Sequence, residues 1–379
     1  MISKRVGDVP PSGIRRFFDL ASKEPDIVTL GVGEPDFDTP YAVRDAGLQA
    51  IELNRTHYTG NAGLPELRGR ISEKLKRENR IDAPVEDVMI TSGSSEGLDI
   101  ALRAVLDEGD EVMMPDPAYV AYEPLTQLAG GKPVMVPTSE KNQFRVRVSD
   151  MKDRLTERTK AILFCSPNNP TGAVLTREDL EDIADFAVKN DLVVISDEIY
   201  EKLIYEGEHV SIASLPGMAE RTITLNGFSK AYAATGWRIG YAVASGKLME
   251  AMYKIHQYCM LCAPSISQYA MLKALDEKDG VRQMVKVYDA RRKLLVKGLN
   301  EIPGITCHMP KGAFYAFPNI TGTKLSSEDF AEKLIKEAKV AVVPGSLFGP
   351  SGEGYVRCSY SVSTGEITAA LARMGRIFS

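Results

Sequence analysis

Six short runs in this chain are almost wholly apolar: EVMMP (111–115), KPVMVP (132–137), AILFC (161–165), LVVISD (192–197), TITLN (222–226) and IGYAVA (239–244). A strand with one face in water alternates apolar and polar residues, whereas a strand covered on both faces does not. Runs of this kind restrict the chain to an α/β fold, with a mostly parallel sheet and helices packed on both sides. Helical patterns fall between many of the runs. Thr39 and Pro40 read as a cap and a first helical position opening YAVRDAGLQAIEL, and Thr176 with Asp179 reads as a capping box before LEDIADFAVKN. Residues 246–275 and 281–301 read as two long helices. After them the texture changes: ITCHMPKGAFYAFPNI, AVVPGS and YVRCSYS read as strands, and 326–338 and 365–377 as helices.

The chain has 379 residues, beyond the size at which a single core usually stops growing. The expected division is a large domain over 41–279 and a smaller α/β domain built from 280–379 with the N-terminal arm, 1–40. A net charge of −5 without a basic block argues against nucleic acid or an anionic membrane as a partner. No apolar stretch is long enough to span a bilayer, and the N-terminus has no secretory apolar region. Five scattered cysteines form no disulfide framework. These features together lead us to expect a reduced, cytoplasmic protein.

The residues with chemical potential stand at strand ends. Lys230 follows TITLN, at the carboxyl edge where parallel sheets bind ligands. Phe228, Ala231 and Tyr232 around it would favour the neutral, nucleophilic amine. Arg238, eight residues on, suits a phosphate. Asp197 ends an apolar strand and needs a positive partner there. The turn TSGSSEG (91–97) opens a helix, and its free N–H groups can cradle an anion, although most such turns are plain caps. Arg357 lies in an apolar strand, GYVRCSYS, and needs an anion in turn. GVGEPDFDTP (31–40) lacks the third glycine of a dinucleotide fingerprint, which counts against a dehydrogenase.

The segment GFSKAYAATGWRIG (227–240) resembles the lysine signature of the class I and II aminotransferases: small, apolar, small, Lys, then Gly-x-Arg-x-Gly. SPNNPTG (166–172) is highly characteristic of the same family, and the remaining landmarks follow in order over essentially the whole chain. The resemblance implies a fold type I transferase dependent on pyridoxal 5′-phosphate. Lys230 would form the Schiff base and shuttle the proton between substrate Cα and the cofactor. Asp197 would pair with the pyridinium nitrogen, Tyr200 and Asn169 would flank the 3′-oxygen, and Tyr119 would stack on the ring. Gly93, Ser94, Ser95 and Arg238 would hold the phosphate. Tyr58, in THYTGNAGLPELR, would reach the neighbouring subunit's phosphate, so a homodimer is expected. Gly33, Asn169 and Arg357 would bind substrate, with Arg357 clamping the α-carboxylate.

The implied reaction moves the amino group of an L-amino acid, aspartate or aromatic, to a 2-oxo acid such as 2-oxoglutarate in ping-pong half-reactions. A β-lyase or decarboxylase on the same fold is the alternative. Transcription regulators with an aminotransferase-like sensor domain also carry a DNA-binding unit, for which no segment is evident. One aspartate-using branch has a lysine where Ser95 stands, which counts against strict aspartate specificity. Arg15 and Arg16 are candidates for a distal carboxylate, or for solvent. No metal site is expected: His256, Cys259 and Cys262, at helical spacing in an apolar segment, read as core packing. EKLKRENR (73–80) reads as a solvated helix face, and Glu198 is given no role.

Overall fold

The computed structural model describes residues 2–11, 13–22 and 26–378. The central sheet has seven strands: β1 (Val88–Thr91), β2 (Glu111–Asp116), β3 (Lys132–Pro137), β4 (Thr159–Cys165), β5 (Val193–Asp197), β6 (Thr222–Gly227) and β7 (Gly240–Val243). Their order is β1-β7-β6-β5-β4-β2-β3. All pairs are parallel except those of β7, which runs antiparallel to β1 and β6. All six apolar runs become strands, and β2, β4, β6 and β7 are buried along nearly their whole length. The register sets Cys165 beside Asp197, and Asp197 beside Leu225, so the carboxyl ends of β4, β5 and β6 form one edge.

The main helices are α1 (Tyr41–Glu52), α2 (Gly93–Val105), α3 (Arg177–Lys189), α4 (Gly246–Cys259), α5 (Ser265–Ala274), α6 (Lys278–Asn300) and α7 (Thr364–Phe378); α2 packs on the large sheet, whereas α6 and α7 pack on each other and on the short C-terminal strands. The expected capping box forms at α3, where Thr176 and Asp179 satisfy each other's backbone N–H groups. At α1 the expectation fails. Pro40 is the cap residue, and the Thr39 hydroxyl instead donates to the Ala233 carbonyl at 2.6 Å and accepts from Trp237. The helix expected over 246–275 is two helices, α4 and α5. Leu261 takes a left-handed conformation, φ 65°, and Pro264 cannot continue a helix from before it.

In the C-terminal region Val356–Ser359 pairs antiparallel with both Val343–Pro344 and Tyr315–Ala316. The long strand expected over ITCHMPKGAFYAFPNI shrinks to Tyr315–Ala316, with isolated bridges at Thr306 and Gly312. Pro310, Pro318 and the left-handed Ala313 interrupt it. Val28–Thr29 pairs in parallel with Val340–Ala341, which draws the N-terminal segment to this region. One apolar cluster runs from Met114 and Leu163 of the large sheet to Phe314, Cys358 and Tyr360. Among the described residues no helix is long and apolar enough to cross a membrane, and all five cysteines are free.

The run 73–80 is a solvated face only in part: Glu73, Lys76, Arg77, Glu78 and Arg80 are exposed, whereas Lys74, Leu75 and Asn79 are buried. Lys74 is 4% exposed, and its ammonium pairs with Glu201 and donates to Asn79 Oδ1 at 2.8 Å. Burial raises the Glu201 carboxyl, but Lys74, Lys202 and His209 outweigh it and bring the group down to about 2. Lys76, by contrast, does face water.

Candidate active site

A cavity of about 420 Å³ opens at the carboxyl edge of the sheet. Gly33, Ser94, Ser95, Tyr119, Asn169, Asp197, Tyr200, Lys230, Arg238 and Arg357 line it, from the elements flanking β4–β6, the first turn of α2, and the small C-terminal sheet. Gly93 lies behind Ser94. Tyr58 does not line the cavity; it is 82% exposed.

Lys230 sits three residues beyond β6, and its Nζ donates to the Gly33 carbonyl at 2.7 Å. Burial pushes its ammonium down to about 8; Glu34 works against that shift, and Arg357 and Arg238 add to it. Asp197 closes β5. Burial pushes its carboxyl up to about 6, against the stabilising bonds from Tyr122 and the Ile199 N–H. The Tyr122 hydroxyl donates to Asp197 Oδ2 at 2.8 Å and the Ile199 N–H to Oδ1 at 3.2 Å. Among the described residues no cation pairs directly with this desolvated carboxylate; Lys230 of the same cavity favours its charge without bonding to it.

Arg357 is 4% exposed. Its Nη1 donates to Asn169 Oδ1 at 2.9 Å and its Nη2 to the Gly31 carbonyl at 2.7 Å, while Nε is buried without a partner. The guanidinium lies over the Tyr315 ring, 4.5 Å from its centre, and near Phe348. The Tyr315 hydroxyl in turn meets that of Tyr200 at 2.9 Å. A Cβ at Gly33 would stand 2.5 Å from that same Tyr315 oxygen, so any larger residue here would have to displace the tyrosine. The loop is tied down by Asp36, which takes a two-pronged ion pair from Arg291 of α6 at 2.8 Å on each prong.

The other end of the cavity is the N-terminus of α2. The first N–H groups of a helix have no acceptor within it and, with the helix dipole, attract anions. Gly93 takes φ 77°, and a Cβ there would lie 2.5 Å from Arg238 Nη2; a Cβ on Gly240 would press equally on the Ser94 nitrogen. The two glycines thus let Arg238 and the helix start close on one spot. Arg238 itself is exposed at the mouth, with Nη1 bonded to the Thr235 carbonyl at 2.9 Å.

Several lining residues were not anticipated. Tyr122, weighed only as a rival to Tyr119 for stacking, holds Asp197, and the two rings meet edge-on at 5.5 Å. Tyr315, Cys165, Thr235, Ile14 and Val120 also face the cavity; nothing in their local pattern distinguishes them from core residues. Ser229 could have been found as the small residue before Lys230. Asn168 turns inward onto Thr171, and Glu198 faces Ser196, Ser211 and His209, away from the cavity. Arg16 pairs with Glu328 and Glu332; the side chain of Arg15 lies outside the described residues. Of the trio 256, 259 and 262, only His256 is core, and Cys259 is exposed.

An amine, a carboxylate and a buried arginine thus share one cavity at the edge of a mostly parallel sheet, the architecture of a fold type I transferase. Residues 25–374 match the family of class I and II aminotransferases, and the chain belongs to it. It is similar to the aspartate aminotransferase of Pyrococcus abyssi, 51% identical over 99% of this chain and 98% of that one. It is 48% identical to the aromatic-amino-acid aminotransferase 2 of Thermococcus litoralis, with the same coverage. Among solved structures, the aromatic aminotransferase of Pyrococcus horikoshii superposes with a TM-score of 0.91 at 49% identity, covering 95% of this chain and 98% of that one. The protein is therefore an enzyme, an aminotransferase.

Proposed function

We propose that this aminotransferase uses pyridoxal 5′-phosphate and passes the amino group of an L-amino acid, aspartate or aromatic, to a 2-oxo acid such as 2-oxoglutarate. The observation that carries this is the convergence of Lys230, Asp197 and Arg357 on one cavity whose far end is a helix N-terminus. The names of the relatives support the substrate range. The residues fit the cofactor: Asp197 has no directly paired cation, the α2 turn offers N–H groups, and the two glycines let Arg238 close on that turn.

Pyridoxal phosphate supplies an aldehyde that exchanges amines and a ring that accepts the electron pair left when Cα loses its proton. Lys230 is the residue that binds the aldehyde carbon. Its depressed pKa keeps a usable share of neutral amine near neutral pH, and that amine would hold and move a proton at the substrate Cα. Asp197, fixed by Tyr122 and Ile199, would keep the ring nitrogen protonated. Tyr119 would cover the ring, and Asn169 and Tyr200 would hold the 3′-oxygen. Gly93, Ser94, Ser95 and Arg238 hold the phosphate with Tyr58 of the partner subunit, which makes the working unit a homodimer. Arg357, with the Gly33 backbone, orients the substrate carboxylate. The cofactor lies between a large domain, 41–279, and a small one, 1–40 with 280–379. The confinement of the seven-stranded sheet to 88–243 supports that division, and its boundary falls in the first turn of α6. A cytoplasmic location is part of the same reading.

The test is the absorption spectrum of the purified protein before and after single amino acids are added without an acceptor. A yellow band bleached by aspartate or by aromatic amino acids is expected, and those that bleach it name the donors. A yellow protein bleached by none would assign a lyase or decarboxylase instead. A protein that stays colourless with added cofactor would end the proposal.

A further inference from the structure

His256 in α4 is fully buried, and both ring nitrogens face acceptors. Nδ1 lies 2.6 Å from Glu96 Oε1, and Nε2 lies 2.8 Å from the Asn61 carbonyl oxygen. A neutral imidazole has one N–H and cannot donate to both. The carbonyl has no proton to lend. The other Glu96 oxygen accepts from the Ser92 N–H, so Glu96 serves as an acceptor at both oxygens when the second proton lies on the ring.

We propose that His256 is held as an imidazolium that cancels the charge of Glu96 beneath the phosphate-binding turn, making it a positioning residue for the cofactor's phosphate. The phosphate role rests on the cofactor reading above. Glu96 stands in the first turn of α2, beside Ser94 and Ser95 of the cavity wall. It caps the turn through Ser92, but an uncompensated carboxylate there would oppose a dianionic phosphate. The imidazolium keeps the cap and removes the net charge. Burial alone would lower the ring's pKa, yet Glu96 outweighs it and the ring is raised above its usual value. Through Nε2 the same ring anchors Asn61, whose neighbour Ala62 accepts from the Ile90 N–H at 2.9 Å, in the segment that presents Tyr58. One side chain thus fixes both the turn and the segment proposed to reach the partner's phosphate.

Two measurements on the full chain test this. The first is the nitrogen-15 spectrum of the imidazoles, assigned for His256 by its loss in His256→Gln among the four histidines. Both ring nitrogens should carry a proton at pH 7.5; one unprotonated nitrogen overturns the imidazolium. The second compares the affinities of pyridoxal phosphate and of pyridoxal, which lacks the phosphate. His256→Gln should weaken the phosphate ester about tenfold and leave pyridoxal unchanged. Removing the carboxylate charge as well, in E96Q/H256Q, should restore the affinity. Equal loss for both ligands, or no loss, overturns the positioning role. If His256→Gln fails to fold, Glu96→Gln replaces it: the ring should lose one proton without loss of phosphate-ester affinity, and a weakened affinity overturns the role. If the native protein binds no pyridoxal phosphate, the cofactor reading falls and the phosphate role with it, while the ring protons still decide the imidazolium.

Discussion

Lys230 gives the sharpest quantitative expectation. An ordinary lysine side chain titrates at 10.5, whereas this one is brought down to about 8 by burial, with Arg357 and Arg238 assisting and Glu34 and Asp197 resisting. The difference, 10.5 − 8 = 2.5, means that below pH 8 the neutral amine is about 300-fold more abundant than on an ordinary lysine. The same shift has a sign for stability. The unfolded chain binds the proton more tightly than the folded one, so the cofactor-free protein gains stability as pH rises from about 8 toward 10.5. At neutral pH the buried cation costs on the order of 3 kcal/mol, stability given up at the site where reactivity is needed. Competitive amine labelling of the cofactor-free protein across pH, read by mass spectrometry of the Lys230 peptide, should give a midpoint near 8. Glu34→Gln removes a group that favours the ammonium and should move that midpoint lower still. A midpoint at or above about 10, or an upward move in Glu34→Gln, would refute the claim that this pocket makes the nucleophile.

Other expectations follow from the same geometry. Asp197 is raised to about 6, so it loses its charge as pH falls through that value; affinity for pyridoxal phosphate should drop below pH 6 in the native protein, and Asp197→Asn should flatten the profile at the low level. Arg357→Ala should weaken binding of the substrate carboxylate by roughly 2–5 kcal/mol, measured by titrating the bound cofactor's absorbance with amino acid; Arg357→Lys, lacking the planar fork, should not restore it. Glu201→Gln leaves the Lys74 ammonium buried without its counter-charge and should cost about 3–5 kcal/mol, seen as a lower melting temperature. An unchanged melting temperature would mean that Lys74 escapes to water.

What could be read in the chain and what could not divides along one physical line. Burial on both faces leaves a trace in composition, so the runs that form β2 to β7 were visible without any partner being known. A charge in or at the end of an apolar run is equally visible, because it must find a counter-charge, so Asp197 and Arg357 stand out; that they share one place with Lys230 is implied by the resemblance to the aminotransferases. Side chains whose role depends on a distant partner left no such trace. Tyr122 looks like any core aromatic until Asp197, 75 residues away, meets its hydroxyl. Lys74 has the spacing of a solvated face, and only Glu201, 127 residues on, makes it a buried cation. His256 fails in the same way, since an apolar helix hides a histidine whether it is packed neutral or held charged, and what separates the two states is the pair of acceptors brought to it from Glu96 and Asn61. The cavity's reactive groups were therefore legible as needs, while the residues that satisfy those needs became legible only once the sheet order had set which strand ends are neighbours. It follows that substitutions at Tyr122, Arg291 and His256, none of which carries a motif, should disturb this site more than their sequence surroundings suggest.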